Sequence, residues 1–209
     1  LAVVLSVVSS LVRAQTTPPP KPPQADTCVE CHGPNGNAII PQNPSLAGQT
    51  WRYIYLQLRD FKEGRRKDPQ MTPIAADFTR DDMIALGNWF AAQRRLPNQF
   101  KADSAKVAAG AKIADTVLCP MCHLGGFSGQ NEIPRVAGLN YEYVVKQLQD
   151  FKHRRRTNDA GNMTAVAGTL GDERLQRQLD KAQLAAQRAR ELIAQMLAFA
   201  RRQRGERRV

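Results

Sequence analysis

Residues 28–32 read CVECH and residues 119–123 read CPMCH, so the pattern C-x-x-C-H occurs twice. These two segments contain all four cysteines of the 209-residue chain. Two cysteines about one helical turn apart, followed directly by a histidine, are typical of covalent haem attachment, in which both thiols bond to the porphyrin and the histidine binds its iron. The pattern therefore predicts two haem c groups. Their attachment and proximal residues would be Cys28, Cys31, His32, Cys119, Cys122 and His123.

Two other kinds of site also use a C-x-x-C pair. A structural zinc site needs four ligands, so the two motifs, 91 residues apart, would have to combine into one site. A thioredoxin-like redox site is expected within a strand–helix–strand unit, which the apolar spacing does not indicate. The recurrence of the whole C-x-x-C-H pattern at the same place in two similar segments favours haem.

The similarity between the two halves extends well beyond the cysteines. Residues 51–66 (WRYIYLQLRDFKEGRR) align with residues 141–156 (YEYVVKQLQDFKHRRR), and eight of the sixteen positions are identical. A Met-Thr pair then recurs at residues 71–72 and 163–164. The chain is therefore predicted to contain two copies of one unit.

The repeat also predicts the second axial ligand of each iron. The chain has three histidines, and two of them belong to the motifs. Met71 follows His32 by 39 residues and Met163 follows His123 by 40, in matching Met-Thr contexts. A thioether sulfur is a soft ligand that favours Fe(II) and raises the haem potential. We therefore expect His/Met ligation at both irons.

Apolar residues predict an all-α fold with little β-structure. They recur at helical spacing over residues 51–61, with Thr50 as an N-cap. Thr79 and Asp82 resemble a capping box at the start of another helix. Met196 falls within an apolar helical face near the end of the chain and is expected to be buried.

These patterns divide the chain into segments. Residues 1–14 are predicted to be part of an export signal or an N-terminal anchor, and residues 15–25 a proline-rich linker. The first cytochrome-like unit is assigned to residues 26–100 and the second to residues 101–209. The second unit carries a helical insert at about residues 171–190.

The chain is strongly basic, with 30 Lys and Arg against 19 Asp and Glu, a formal net charge of +11. Residues 201–209 alone hold five arginines and one glutamate. This charge favours an acidic protein partner or contact with an anionic membrane surface. An export signal places the protein in the periplasm, which argues against a nucleic-acid partner.

The order of these motifs resembles the dihaem cytochrome c4 family over about residues 26–200. Each unit has C-x-x-C-H, then P-x-L/V-A-G, a helix ending in D-F-K, and M-T-x-x-A. The resemblance implies two tandem class I cytochrome c domains, pseudo-twofold packing and haems near each other. It also implies a periplasmic electron carrier, with a respiratory donor such as a quinol-oxidising complex and an acceptor such as a membrane terminal oxidase.

Two alternatives remain open at this point. Similar dihaem subunits serve flavin-dependent sulfide dehydrogenases, so the chain could belong to a dehydrogenase complex. A dihaem peroxidase would need one iron with a vacant or switchable position. With methionine at both irons there is no open position, so we expect an electron-transfer protein and not an enzyme.

Overall fold

The structure, a computed structural model, describes residues 18–97, 102–171, 185 and 188–198. Within these ranges it is helical, with one isolated β-bridge between Gln130 and Ile133 and no strand, as expected. In chain order the helices are α1 (Ala25–His32), α2 (Trp51–Lys62), α3 (Met71–Ala76), α4 (Arg80–Ala91), α5 (Ser104–Thr116), α6 (Cys119–His123), α7 (Tyr141–Lys152) and α8 (Asn162–Thr169), and residues 188–198 are also helical. None of the helices in the described ranges is both long and apolar enough to cross a membrane.

Three segments with sequence-based predictions lie outside the described residues. They are the predicted export signal or anchor at residues 1–14, the greater part of the insert at residues 171–190, and the arginine-rich segment at residues 201–209. The described part of the linker begins at Pro18 and leads directly into α1.

The predicted helix starts are confirmed in the first repeat. Thr50 precedes α2, and its side-chain oxygen accepts a hydrogen bond from the Tyr53 amide at 3.3 Å. Before α4, Thr79 Oγ1 accepts from the Asp82 amide at 3.2 Å, while Asp82 Oδ2 accepts from the Thr79 amide at 2.9 Å. This reciprocal pair is a complete capping box, so the polar residues at this position determine where α4 begins.

Helices α2, α3 and α4 pack together to form the core of the first repeat. The buried side chains come mainly from the apolar faces of α2 and α4: Ile54, Leu58, Phe61, Met83, Leu86, Trp89 and Phe90. Gly87 of α4 lies against the backbone of Trp51, the first residue of α2. A Cβ atom on Gly87 would lie only 2.6 Å from the Trp51 carbonyl oxygen, so only glycine permits this approach.

We therefore expect Gly87→Ala to lower the free energy of unfolding by about 1–3 kcal/mol, because the backbone of α2 has to move away from the added methyl group. Denaturant titration of the purified protein measures this change. Gly110→Ala is the matched control, since Gly110 lies inside α5 with nothing within 4 Å of its Cβ position. That control should gain about 0.5–1 kcal/mol from helix propensity. Equal effects of the two substitutions would contradict the close approach.

The second repeat shares the arrangement of α2 and α3 but differs at its end. Helix α7, the counterpart of α2, packs against α8, the counterpart of α3. Residues 188–198 align with most of α4, yet all of them are exposed. Leu192, the equivalent of Met83, is 59% exposed where Met83 is 3% exposed.

The prediction that Met196 is buried is wrong, because this side chain is 69% exposed. Apolar spacing identifies one face of a helix, but it does not show whether another element covers that face. In the described part of the chain, no other element packs on the apolar face of the helix at residues 188–198.

Candidate functional site

The first C-x-x-C-H motif forms the last five residues of α1. His32 is the final residue of the helix and is 7% exposed. Its Nδ1 atom lies 2.8 Å from the Pro44 carbonyl oxygen. Because a carbonyl can only accept, Nδ1 carries the proton in this hydrogen bond, and Nε2 keeps a free lone pair for a metal. The chain leaves α1 through Gly33, whose φ of +75° lies in the region that favours glycine.

The surroundings of His32 favour the neutral imidazole. Burial lowers the pKa of His32 from its ordinary value, although the hydrogen bond to Pro44 and the charge of Asp68 partly oppose this shift. The second motif repeats the arrangement, since His123 Nδ1 lies 2.8 Å from the Pro134 carbonyl oxygen and His123 is also 7% exposed. Both histidines therefore present the nitrogen that a haem iron binds.

The cysteines do not have the properties of a redox pair. Burial, with a smaller contribution from the charge of Cys31, raises the pKa of the Cys28 thiol to about 11. Burial also raises the pKa of Cys119. Thiols in thiol–disulfide exchange have lowered pKa values, so these shifts argue against that chemistry. Among the described residues no three His, Cys, Asp or Glu side chains gather as a metal site, which argues against a zinc site shared by the two motifs.

A cavity in the first repeat brings Cys28, Cys31, His32 and Met71 together. Its apolar walls come from α2, α3 and α4: Ile54, Leu58, Phe61, Ile74, Leu86 and Phe90. Hydrogen-bonding side chains line another part of it: Gln49, Tyr53, Gln57, Arg66, Tyr143 and Gln147. A haem c group needs thiols for attachment, two soft or borderline axial ligands, an apolar slot for the ring, and polar partners for its propionates. The residues of this cavity fit that group.

The position of Met71 is fixed by its neighbours. Met71 is the first residue of α3, and its amide donates to Asp68 Oδ1 at 3.0 Å. The amide of Gln70 donates to the same oxygen, also at 3.0 Å, and the Asp68 amide donates to Thr72 Oγ1 at 3.0 Å. Asp68 therefore holds the turn from which the methionine side chain enters the cavity.

An aspartate also accepts hydrogen bonds from backbone amides beside Met163. Asp159 Oδ2 accepts from the Thr164 amide at 2.6 Å, and Oδ1 accepts from the Gly161 amide at 3.3 Å. Met163 is half-buried as the second residue of α8. The second site is more open than the first, because Cys122 is exposed and residues 188–198 do not provide the wall that α4 gives to the first cavity.

The two repeats meet through a symmetric pair of arginines. Arg66 donates to Gln57 of its own repeat at 2.8 Å, and across the boundary to Gln147 at 3.0 Å and Tyr143 at 3.3 Å. The guanidinium group of Arg66 stacks on Phe61, with 4.6 Å between the guanidinium carbon and the ring centre.

Arg156 makes the equivalent contacts from the other side. It donates to Gln147 at 2.7 Å within its repeat, and across the boundary to Gln57 at 2.9 Å and Tyr53 at 3.1 Å. It stacks on Phe151 at 4.5 Å and is 8% exposed. We call Arg66, Arg156 and the glutamine and tyrosine pairs that they join the seam network.

Sequence reasoning missed the seam network because both arginines lie in basic runs that resemble solvated surface. Their signal was present in the repeat alignment, where Arg66 and Arg156, Gln57 and Gln147, and Tyr53 and Tyr143 occupy matching positions. Asp68 and Asp159 were missed for a different reason, since they act on backbone amides and their position does not follow a single offset.

The chain is similar to known cytochromes. Residues 24–91 match the family model described as cytochrome c. The chain is 37% identical over 170 residues to cytochrome c4 of Azotobacter vinelandii, covering 72% of this chain and 80% of that protein. It is 30% identical over 168 residues to the thiosulfate dehydrogenase electron acceptor of Stutzerimonas stutzeri, covering 74% of this chain and 76% of that protein.

A solved structure is similar over nearly the same extent. It is that of cytochrome c4 from Acidithiobacillus ferrooxidans, which superposes with a TM-score of 0.64 at 27% identity. The match covers 73% of this chain and 94% of the solved chain.

Proposed function

The chain belongs to the cytochrome c4 family, and on this premise we propose how its residues carry electrons. It is a dihaem c-type cytochrome with a fold of two tandem cytochrome c domains, and its function is electron transfer. We assign the domains to residues 26–100 and 101–209. We place the protein in the periplasm, as a carrier of single electrons between a respiratory donor and a terminal oxidase.

The site residues divide into attachment and axial roles. Cys28 and Cys31 hold one haem, and Cys119 and Cys122 hold the other. His32 and Met71 would hold one iron, and His123 and Met163 would hold the other. When bound, each haem gains or loses one electron at its iron.

Neighbouring residues orient the two side chains that would hold the first iron. The hydrogen bond from His32 to Pro44 orients the imidazole, and the carboxylate of Asp68 fixes the start of the helix that carries Met71. An iron held by both a histidine and a methionine would offer no place for oxygen or peroxide, so the function we propose includes no substrate chemistry.

One observation carries the proposal. The cavity that contains Cys28, His32 and Met71 extends to the boundary between the repeats, where Tyr143 and Gln147 of the second repeat line it. A haem held in this cavity would therefore lie beside the second domain, which suits electron exchange between the two domains.

The partners follow from charge and from the relatives. A formal charge of +11 favours an acidic docking face on the partner, whether a membrane oxidase or a quinol-oxidising complex. Anionic lipid beside the arginine-rich end of the chain would add to this attraction. The relative that is a thiosulfate dehydrogenase electron acceptor supports a second candidate, in which a sulfur-compound dehydrogenase is the donor.

Stopped-flow mixing tests this function. We expect reduced holoprotein to be oxidised by membranes that contain a terminal oxidase, with both haems losing their electrons. The second-order rate constant should fall roughly tenfold as the Debye length shrinks from about 10 Å at 0.1 M salt to about 3 Å at 1 M.

Two controls separate the alternatives. A small uncharged oxidant should react at a rate that does not depend on salt. Hydrogen peroxide should not be consumed catalytically, and turnover with peroxide would identify a peroxidase instead. A membrane reaction whose rate stays constant with salt would contradict the acidic docking face, while rapid reduction by a thiosulfate dehydrogenase would favour the second candidate donor.

A further inference from the structure

Two further arginines, Arg95 and Arg135, lie beside the boundary between the repeats, apart from the seam network. Arg95 follows α4 by four residues and reaches the second repeat at Gly138. Its Nε and Nη2 atoms lie 2.7 and 2.8 Å from the position that a Cβ atom would take on Gly138. Gly138 has a φ of +71°, a backbone conformation that favours glycine, and the absence of a side chain there leaves room for the guanidinium group of Arg95.

Arg135 is anchored beside the same turn. Its amide donates to Gln49 Oε1 at 2.7 Å, and its carbonyl oxygen accepts from Gln49 Nε2 at 2.9 Å. Gln49 is 4% exposed, so this two-way contact fixes Arg135 at the boundary of the repeats. The backbone of Arg135 is therefore held by Gln49.

The guanidinium groups of this pair have unused donors. Arg95 Nη1 and Nη2 and Arg135 Nε are buried and have no hydrogen-bond partner. No ion pair among the described residues includes either arginine. Glu132, the acidic residue of the same loop, is paired with Arg52 at 3.4 Å.

Two like charges with unpaired donors are unfavourable without a counter-ion. Burial, and then the charge of Arg135, lower the pKa of Arg95, which is the direction expected for a cation that lacks an anion. An oxyanion would accept from both guanidinium groups at once, since their planar forks match its oxygen atoms. It would neutralise the repulsion and satisfy the buried N–H groups together.

We propose that Arg95 and Arg135 form a binding site for a small inorganic oxyanion of the sulfate or phosphate class, at the boundary between the two repeats. The bound ion joins the turn after α4 to the loop that contains Gly138, so it stabilises the two domains against separation. Neither arginine lines the first haem cavity.

Calorimetry on the holoprotein tests the site. We expect sodium sulfate or phosphate, substituted for sodium chloride at constant ionic strength, to raise Tm in a saturable way. At about one hundred times Kd the rise should be roughly 5–10 °C. Arg95→Gln and Arg135→Gln should each weaken binding by tenfold or more, measured by isothermal titration.

The neighbouring residue provides the matched control. Arg94 is exposed, and Arg94→Gln should bind sulfate as the wild type does. If Arg95→Gln does not fold, Arg135→Gln and Arg95→Lys carry the test, and the lysine variant should bind more weakly because it lacks the planar fork.

Three outcomes would overturn the proposal. The first is the absence of any saturable response in the wild type, as would occur if a propionate of the bound haem or a carboxylate already fills the site. The second is an equal response in wild type and both glutamine variants. The third is a response that chloride reproduces, which would show general screening instead of a site.

Discussion

Replacing Met71 with alanine is expected to remove half of the far-red absorption band of the oxidised holoprotein, because that band reports methionine sulfur on ferric iron. The midpoint potential of one haem should fall on the order of 0.1–0.3 V, since loss of the soft sulfur ligand favours Fe(III). Met71 starts α3 beside Asp68 and lines the cavity that contains His32. Optical spectra and potentiometry measure the two effects.

Met163→Ala should give the same loss at the other haem, and the double variant should lose the band entirely. Met83→Leu is the control, because Met83 is a buried methionine of the same domain that packs in the core and does not line the cavity. It should keep the full band. A full band in Met71→Ala, or a reduced band in Met83→Leu, would refute the assignment of the axial ligands.

The sequence predicted which residues gather at the first cavity, because local pattern determines most of them. A motif of five residues contains both thiols and the histidine, and the capping box at Thr79 and Asp82 acts over three residues. The repeat then added Met71, which lies in the same cavity as His32. Such features depend on neighbours along the chain or on a second copy of the pattern, and both are visible in one sequence.

The sequence could not predict features that depend on packing between distant segments. Lys152 is the last residue of α7 and Arg156 follows it by four residues. Both are basic, yet Arg156 is buried in the seam network and Lys152 is exposed. The exposure of Met196 likewise depends on whether another element covers its helix face. Charge and hydrophobicity along the sequence identify the polar and apolar faces of a helix. Which element packs against a face depends on how distant segments of the chain fold together.

Loss of an arginine from the seam network should strongly destabilise the protein. Arg156→Ala should lower the free energy of unfolding by roughly 3–5 kcal/mol, because it removes a buried guanidinium group together with its hydrogen bonds to Gln57, Gln147 and Tyr53. Tm should fall by about 6–20 °C. Calorimetry of the holoprotein measures both quantities. It should also show two transitions in place of one, since the domains then unfold separately.

Two further substitutions show whether the lost free energy of unfolding comes from contacts between the domains. Arg80→Ala, at an exposed position of α4, should change stability by no more than about 0.5 kcal/mol. A double-mutant cycle between Arg156→Ala and Gln57→Ala should give a coupling energy of about 0.5–3 kcal/mol, because the two side chains touch across the boundary at 2.9 Å. Additive losses would mean that Arg156 stabilises only its own domain. A single unfolding transition in Arg156→Ala would mean that other contacts, such as those of Gln49 with Arg135, are sufficient to hold the domains together.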